Sequence, residues 1–456
     1  LWGRPNLYVS YAWGLALTGQ IERAEALLFQ VESILQRADA DAVQSPVHMT
    51  LLGRVAALRA MVAARHGNTV AAVLKAKQAL ALIPVDAMSR NDAFYTLGLA
   101  RQQEGALDEA LLAYATAAKS GEATNDSFQA IAAHYHAGRV LTAQGHLHRA
   151  AATYQQILPM ATQSRKQLPI VGLAHIGYGE ILYQWNDLAA AVRQVDTGLA
   201  LNPRRDLTYT DGPLHRFSIL ARIRQSMGDR DGALAAVELA QETAKRTGIA
   251  IDAERSAALE ALIQLRIGED AAADRWAERY PHTRTEAERL SYLREFETLV
   301  YLRHLLARGR STDALTLLTQ WLPVVEAAQR LGSALEVSLL TALPLRQDGQ
   351  RYASLRVLAR CLSWAEPENF VRLFVDEGPP MQLAIGELMS SGMLPIAEAG
   401  GDIAAYAKRL LGALAAAETP QGGVDATGSW PLAQAARLNL IDPLTPRELE
   451  VLHLIT

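Results

Sequence analysis

Cysteine is nearly absent. Cys361 is the only one in 456 residues, so no internal disulfide can form, and a reducing, cytoplasmic setting is the expectation. Charge of one sign is lacking as well. Forty-four Lys and Arg face 48 Asp and Glu, leaving a formal net charge of −4 and a pI of about 6.3. That balance gives no bulk attraction to nucleic acid or anionic lipid. No apolar run approaches the roughly 18–20 residues that span a bilayer, and no signal peptide heads the chain, so no membrane partner is expected. β-branched runs are rare while Ala and Leu abound, which favours helix throughout.

Motifs of catalysis are missing too. There is no G-x-x-x-x-G-K-[ST], and no lysine directly follows a glycine, so no phosphate-cradling loop for ATP is present. Neither G-x-S-x-G nor H-E-x-x-H occurs. "GYGEIL" at Gly177 lacks the third glycine of a dinucleotide fingerprint and reads as helix-packing glycine. His134, His136, His146 and His148 lie close in sequence, but residues i and i+2 of a helix point about 200° apart. His134 reads as a core position, the others as near a loop, and no metal site is expected. Cys361 reads as a packed thiol. The paired acids Asp376 and Glu377 of "FVDEG" read as a solvated helix end. No catalytic residue, no resident cofactor and no enzyme activity are expected of this chain.

What is present is a repeat. A small helix-breaking residue, a short gap and an alanine recur as "GQIERA", "GNTVAA", "GALDEA", "GHLHRA", "NDLAAA", "GDRDGA", "GEDAAA", "GRSTDA" and "GQRYAS". The lead positions are Gly19, Gly67, Gly105, Gly145, Asn186, Gly228, Gly268, Gly309 and Gly349, spaced by 48, 38, 40, 41, 42, 40, 41 and 40 residues. Such regularity predicts an all-α fold. It would be a right-handed superhelix, an α-solenoid, of about nine helix pairs with a period near 40. In residues 91–121, Phe94, Leu97, Gly98 and Arg101 follow three-and-four spacing on one helix. Gly105 supplies the turn, and Leu107, Ala110, Tyr114 and Ala117 line one face of the second helix.

This unit resembles the tetratricopeptide repeat. Phe94, Leu97, Gly98, Gly105, Ala110, Tyr114 and Ala117 match the family's fixed offsets, and Arg101 departs at the second bulky position. In the fifth unit His175, Tyr178, Gly179, Leu182, Ala191 and Pro203 match in the same way. The period departs from the family's 34 residues, so helices or loops must be longer. Units seven and nine match poorly beyond the turn.

After residue 417 the composition changes. "ETPQGGVDATGSWP", residues 418–431, reads as a flexible linker. Beyond it, Thr445 can serve as N-cap, Pro446 fits the first helical position, and Glu448 completes a capping box. Leu449, Leu452 and Ile455 follow on one face. With Arg447, the string "LTPRELEVLHLIT" resembles the first helix of the LuxR-type helix-turn-helix domain. Independently, "WAEPENFVRLFVDEGPPMQLAI", residues 364–385, and "PNLYVSYAWGLALTGQIERAEALL", residues 5–28, resemble the sensor region of large ATP-dependent LuxR-family activators, the group typified by the maltose-regulon activator. The expected organisation is a superhelical sensor over 1–375, a helical extension over 376–417, a linker over 418–442 and the truncated start of a helix-turn-helix over 443–456. Both ends read as cuts through a longer protein.

The resemblance implies a function. A small-molecule inducer or a peptide would occupy the concave groove, and the parent protein would self-associate. ATP would bind only a preceding N-terminal domain. DNA would be contacted only through the rest of the helix-turn-helix. The family's inward positions fall on Tyr95 and Gln102; Tyr135, Arg139 and Thr142; Glu180 and Tyr183; and His215, Arg222 and Gln225. Aromatic faces beside hydrogen bonders suit a sugar, a small aromatic or a peptide. The alternative is a tetratricopeptide scaffold that holds a protein or peptide partner in the same groove.

Overall fold

The computed structural model describes residues 4–37, 45–84, 89–124, 126–163, 170–201, 212–280, 284–395 and 401–418. Among these residues the regular structure is helical, without a strand. The linker from residue 419 on, Pro203 and the capped segment with Thr445, Pro446, Arg447, Glu448, Leu449 and Leu452 lie outside the described residues.

The lead residues of the repeat fall between paired helices. The early pairs are Pro5–Leu17 with Ile21–Leu35, Pro46–Arg65 with Thr69–Leu82, Arg90–Glu104 with Leu107–Ala123, and Ser127–Ala143 with Leu147–Gln163. Then come Val171–Gln184 with Leu188–Leu201, Gly212–Ser226 with Arg230–Thr247, Ala250–Ile267 with Asp270–Arg279, Glu295–Ala307 with Ser311–Ala327, and Leu331–Gln347 with Arg351–Ala365. All nine lead residues have positive φ, from 66° at Asn186 to 87° at Gly105. Glycine enters that region without strain, and asparagine at modest cost. The long period comes from long helices: Ser127–Ala143 and Leu147–Gln163 have 17 residues each.

The third and fourth pairs lock through a large ring in a glycine slot. A Cβ on Gly98 would stand 2.7 Å from the Tyr114 ring, and one on Gly138 would stand 2.5 Å from the Tyr154 ring. Gly177 of the following unit closes on Tyr154 from the other side of the stack. The fingerprint-like "GYGEIL" is therefore a packing surface. Tyr114 and Tyr154 are fully buried, and burying a side chain of this size contributes roughly 1.5–3 kcal/mol. Arg101, which departs from the repeat pattern, meets Glu104 and, at 2.9 Å, Glu109. The histidine register differs from expectation. His136 is the buried core residue, stacked on Tyr114 with centroids 5.2 Å apart. His134 lies two residues off that face and meets Glu122 at 2.8 Å.

Successive turns of the superhelix stack. Arg65 pairs with Asp252 at 3.3 Å, 187 residues away. The same offset joins Gly105 to Tyr292 and Gly145 to Gly332, and Val371 N–H donates to the Gln184 carbonyl at 2.9 Å. One superhelical turn thus takes between four and five repeats. A Cβ on Gly145 would lie 3.1 Å from the Gly332 nitrogen, so backbone meets backbone there.

Two segments break the repeat. After the short helix Asp270–Arg279, residues 284–294 form a capped turn, with a Thr285–Glu288 capping box, and a 3₁₀ turn Tyr292–Arg294. This excursion brings Tyr292 and Leu293 against the turns at Gly105 and Gly67. Residues 366–377 cross to the fourth and fifth units. There Glu368 accepts from His148 N–H at 2.9 Å and from the Trp185 indole at 3.0 Å through its carbonyl. Pro379–Ser390 and Ile403–Glu418 then pack on Arg351–Ala365.

One helix corrects the hydropathy reading. Pro46–Arg65, at 20 residues, is long and apolar enough by composition to cross a bilayer. In the fold it is a core helix that buries Leu51, Val55, Leu58 and Met61.

Candidate ligand cavity

The first helices of units three to eight turn one face toward the superhelix interior. On Gly212–Ser226 that face carries His215, Ser218, Ile219 and Arg222; on Ala250–Ile267 it carries Arg255, Ser256 and Leu259. Three-and-four spacing places these on one side of a helix. Between them lies a cavity of about 270 Å³, walled also by Gln102, Gln103, Arg139, Glu180, Leu214 and, from the excursion and the helix after it, Tyr292, Leu293, Glu295, Phe296 and Leu299. A second cavity of about 170 Å³ adjoins it, sharing Glu180, Arg222, Glu295, Phe296 and Leu299.

Charge is dense on these walls. Glu180 lies 3.3 Å from His215. Burial opposes its ionisation, but His215, Arg139 and Arg222 outweigh burial and hold the carboxyl down at about 2. Glu295 meets Arg330 and accepts from Ser333 at 2.6 Å. Burial still carries its carboxyl up to about 7, against the pull of Arg330. The Gln102 carboxamide accepts from the Tyr114 hydroxyl at 2.8 Å, which fixes its orientation.

Behind this wall sits an ionic centre that overturns one expectation. Asp376 and Glu377 are buried, with side-chain exposures of 3% and 8%. They do not form a solvated helix end. Arg372 and Arg266 bind Asp376, the latter at 3.1 Å; Tyr183 donates to it at 2.5 Å; and Arg222 stands 3.8 Å away. Burial alone would neutralise this carboxyl, but Arg266, Arg372 and Arg222, with the Tyr183 hydroxyl, hold it well below the usual carboxylate range. Glu377 accepts two hydrogen bonds from Arg303, at 2.9 and 2.7 Å. The physical reason is topological: the crossing segment carries both acids into an interior already lined with arginine from other units.

The ten groove positions divide. Gln102, Arg139, Glu180, His215 and Arg222 come together around the larger cavity, and Thr142 lines the smaller one beside Glu180 and Arg222. Tyr183 is fully buried behind the wall, under the guanidiniums of Arg222 and Arg372 at 4.9 and 5.4 Å from its ring centroid. Tyr135 is buried against His136 and Tyr154. Tyr95 packs beside Tyr114 and lines a separate cavity with Trp13, Asp92 and Phe128. Gln225 is half-buried near the end of its helix and lines none of these cavities. Apart from Gln225, the polar members of the set lie on the cavity walls, and Tyr135 and Tyr183 fill the core between helices. Arg255 and Leu259 repeat on the seventh unit the spacing of His215 and Ile219 on the sixth, a signal the family's inward positions do not use, while Ser256 has no counterpart on the sixth unit's wall. Tyr292 to Phe296 carry no repeat signal at all. Cys361 is buried, and burial pushes its thiol up to about 12.

Residues 53–388 match a family model described as the MalT-like TPR region. No curated protein matches the sequence. Among solved structures, the chain is similar to a Rap protein complexed with competence and sporulation factor, at 13% identity over 81% of this chain and 99% of that one, with a TM-score of 0.45. It is also similar to the Rap conjugation gene regulator of the plasmid pLS20 in complex with the Phr* peptide, at 14% identity over 71% and 97%, with a TM-score of 0.49. A third is Pseudomonas aeruginosa pilF, at 14% identity over 52% and 90%, with a TM-score of 0.34.

Proposed function

The chain belongs to the MalT-like TPR family, and from that membership we propose that it is the inducer-sensing and self-association region of a cytoplasmic LuxR-family transcriptional regulator of the signal-transduction ATPase type. The inducer occupies the interior of the superhelix. ATP binds a separate N-terminal domain of the parent protein. DNA is read by the helix-turn-helix whose first helix opens at Thr445.

The observation that carries this reading is the interior cavity of about 270 Å³, lined by charged, polar and apolar side chains together. Its volume lies just under the ~300–1,000 Å³ of drug-sized ligand sites, which favours a small molecule over an extended peptide. A thermal-shift screen of metabolites on the full chain tests it. A ligand at a hundredfold its Kd stabilises by about 2.7 kcal/mol. A broad screen with no shift, beside a parent protein that does respond to an inducer, would place the sensor elsewhere. Capture of one stoichiometric protein through the groove would favour a scaffold instead.

A further inference from the structure

We infer that the ligand of this cavity is an organic anion: its carboxylate or phosphate sits against Arg222 and Arg255, and its apolar body lies on Leu259 and Phe296. The inference rests on the sensor reading above and adds the charge class of the inducer.

Charge on the walls is unequal. The two adjoining cavities are lined by five guanidiniums, Arg139, Arg222, Arg255, Arg266 and Arg303, and by three carboxylates, Glu180, Glu295 and Glu336. Each carboxylate is engaged locally. Glu180 has His215, Glu295 has Arg330 and Ser333, and Glu336 has Arg303 at 2.7 Å. Asp376, behind the wall, is held by Arg266 and Arg372. Arg222 is left 3.8 Å from Asp376, beyond hydrogen-bonding distance, and its buried Nε makes no hydrogen bond. Arg255 donates through Nη2 to the Leu293 carbonyl at 3.0 Å, but its Nε is also buried without a hydrogen bond, 4.0 Å from Glu297.

A buried N–H without an acceptor is costly, and more so on a charged group. Carboxylate and phosphate oxygens match the guanidinium fork and accept from its unbonded Nε with a charge-assisted bond. A neutral polyol supplies acceptors without that added strength. Leu214, Ile219, Leu259, Phe296 and Leu299 line the same cavity with apolar surface, so the remainder of the ligand is apolar.

The test is a thermal-shift and calorimetric comparison on the full chain at fixed ionic strength. Benzoate, hexanoate and phenyl phosphate are set against benzamide, hexanol and neutral oligosaccharides. The anions are expected to raise the unfolding midpoint and the neutral compounds are not. Response to the carboxylates alone or to the phosphate alone identifies which anionic group is read. Arg222→Gln and Arg255→Gln should each weaken the bound anion at least tenfold, with Arg222→Lys between them and the unaltered chain. If a glutamine variant does not fold, the anion-against-neutral comparison on the unaltered chain still decides. Equal stabilisation by neutral compounds, or undiminished anion binding by a folded Arg222→Gln, overturns the charge class and leaves the sensor reading standing. No response to any of these probes also overturns the charge class, while the sensor reading falls only on the broad metabolite screen.

Discussion

The Tyr183 hydroxyl donates to Asp376 Oδ2 across 2.5 Å, joining residues 193 apart in sequence. It is one of four groups around a carboxylate that is 3% exposed. A hydrogen bond to a charged group is worth ~1.5–3 kcal/mol, so Tyr183→Phe should lower stability by about that amount. Asp376→Asn should cost more, ~3–5 kcal/mol, because it leaves buried guanidiniums uncompensated. Urea midpoints of the two variants check the order. A harmless Asp376→Asn would mean the arginines are solvated.

Acid sensitivity follows from the same group. Asp376 is held well below its ordinary value, and Glu180 is held at about 2. Depressed folded-state values mean that their stabilisation is fully present above the unfolded values of about 3.9 and 4.3. It is lost as pH falls toward the folded ones. The thermal midpoint should therefore fall steadily below about pH 5. Asp376→Asn should flatten that fall, and an unchanged slope would remove Asp376 from the account.

Two turn glycines separate backbone strain from crowding. Gly349 has φ of 78° and open space where a Cβ would stand, while Gly145 has φ of 82° and faces the Gly332 nitrogen at 3.1 Å. Gly349→Ala should cost ~1–2 kcal/mol, the left-handed penalty alone. Gly145→Ala should cost measurably more, because the neighbouring turn must also shift. Equal midpoints in urea would show that the turns do not press on each other.

The Tyr154 slot offers a coupled pair. Gly138→Ala places a Cβ 2.5 Å from the ring and should destabilise by ~1–3 kcal/mol through overpacking. Combined with Tyr154→Leu, the alanine should cost less than it does alone, a non-additivity expected of residues in contact. Additive effects in a double-mutant cycle would argue that the ring is not confined there.

How much of this was readable in the sequence depends on range. The turns at Gly19 through Gly349 were legible because a positive-φ residue between helices is a local demand. Gln102, Arg139, Glu180, His215 and Arg222 lie on the cavity walls at the family's inward positions. Tyr183 and Tyr135 lie in the core at such positions too, since repeat position does not separate a groove wall from the core just behind it. His136 against His134 is a two-residue error of register. The burial of Asp376 could not be read at all. "FVDEG" has the text of a solvated turn, and Arg222, Arg266 and Tyr183 come from other units. Nor does any local pattern announce the 187-residue offset, which is set by the pitch of the whole superhelix.

That offset bears on how the molecule yields to force. An open solenoid behaves as a one-dimensional stack, and drawn from its ends it can peel one repeat at a time. Here Arg65 with Asp252, Gly145 with Gly332 and Gln184 with Val371 tie each coil to the one above it. Extension must break these ties before any spring-like opening begins. The last coil therefore works as a clasp on the first, and the molecule is closer to a wound ring than to a spring.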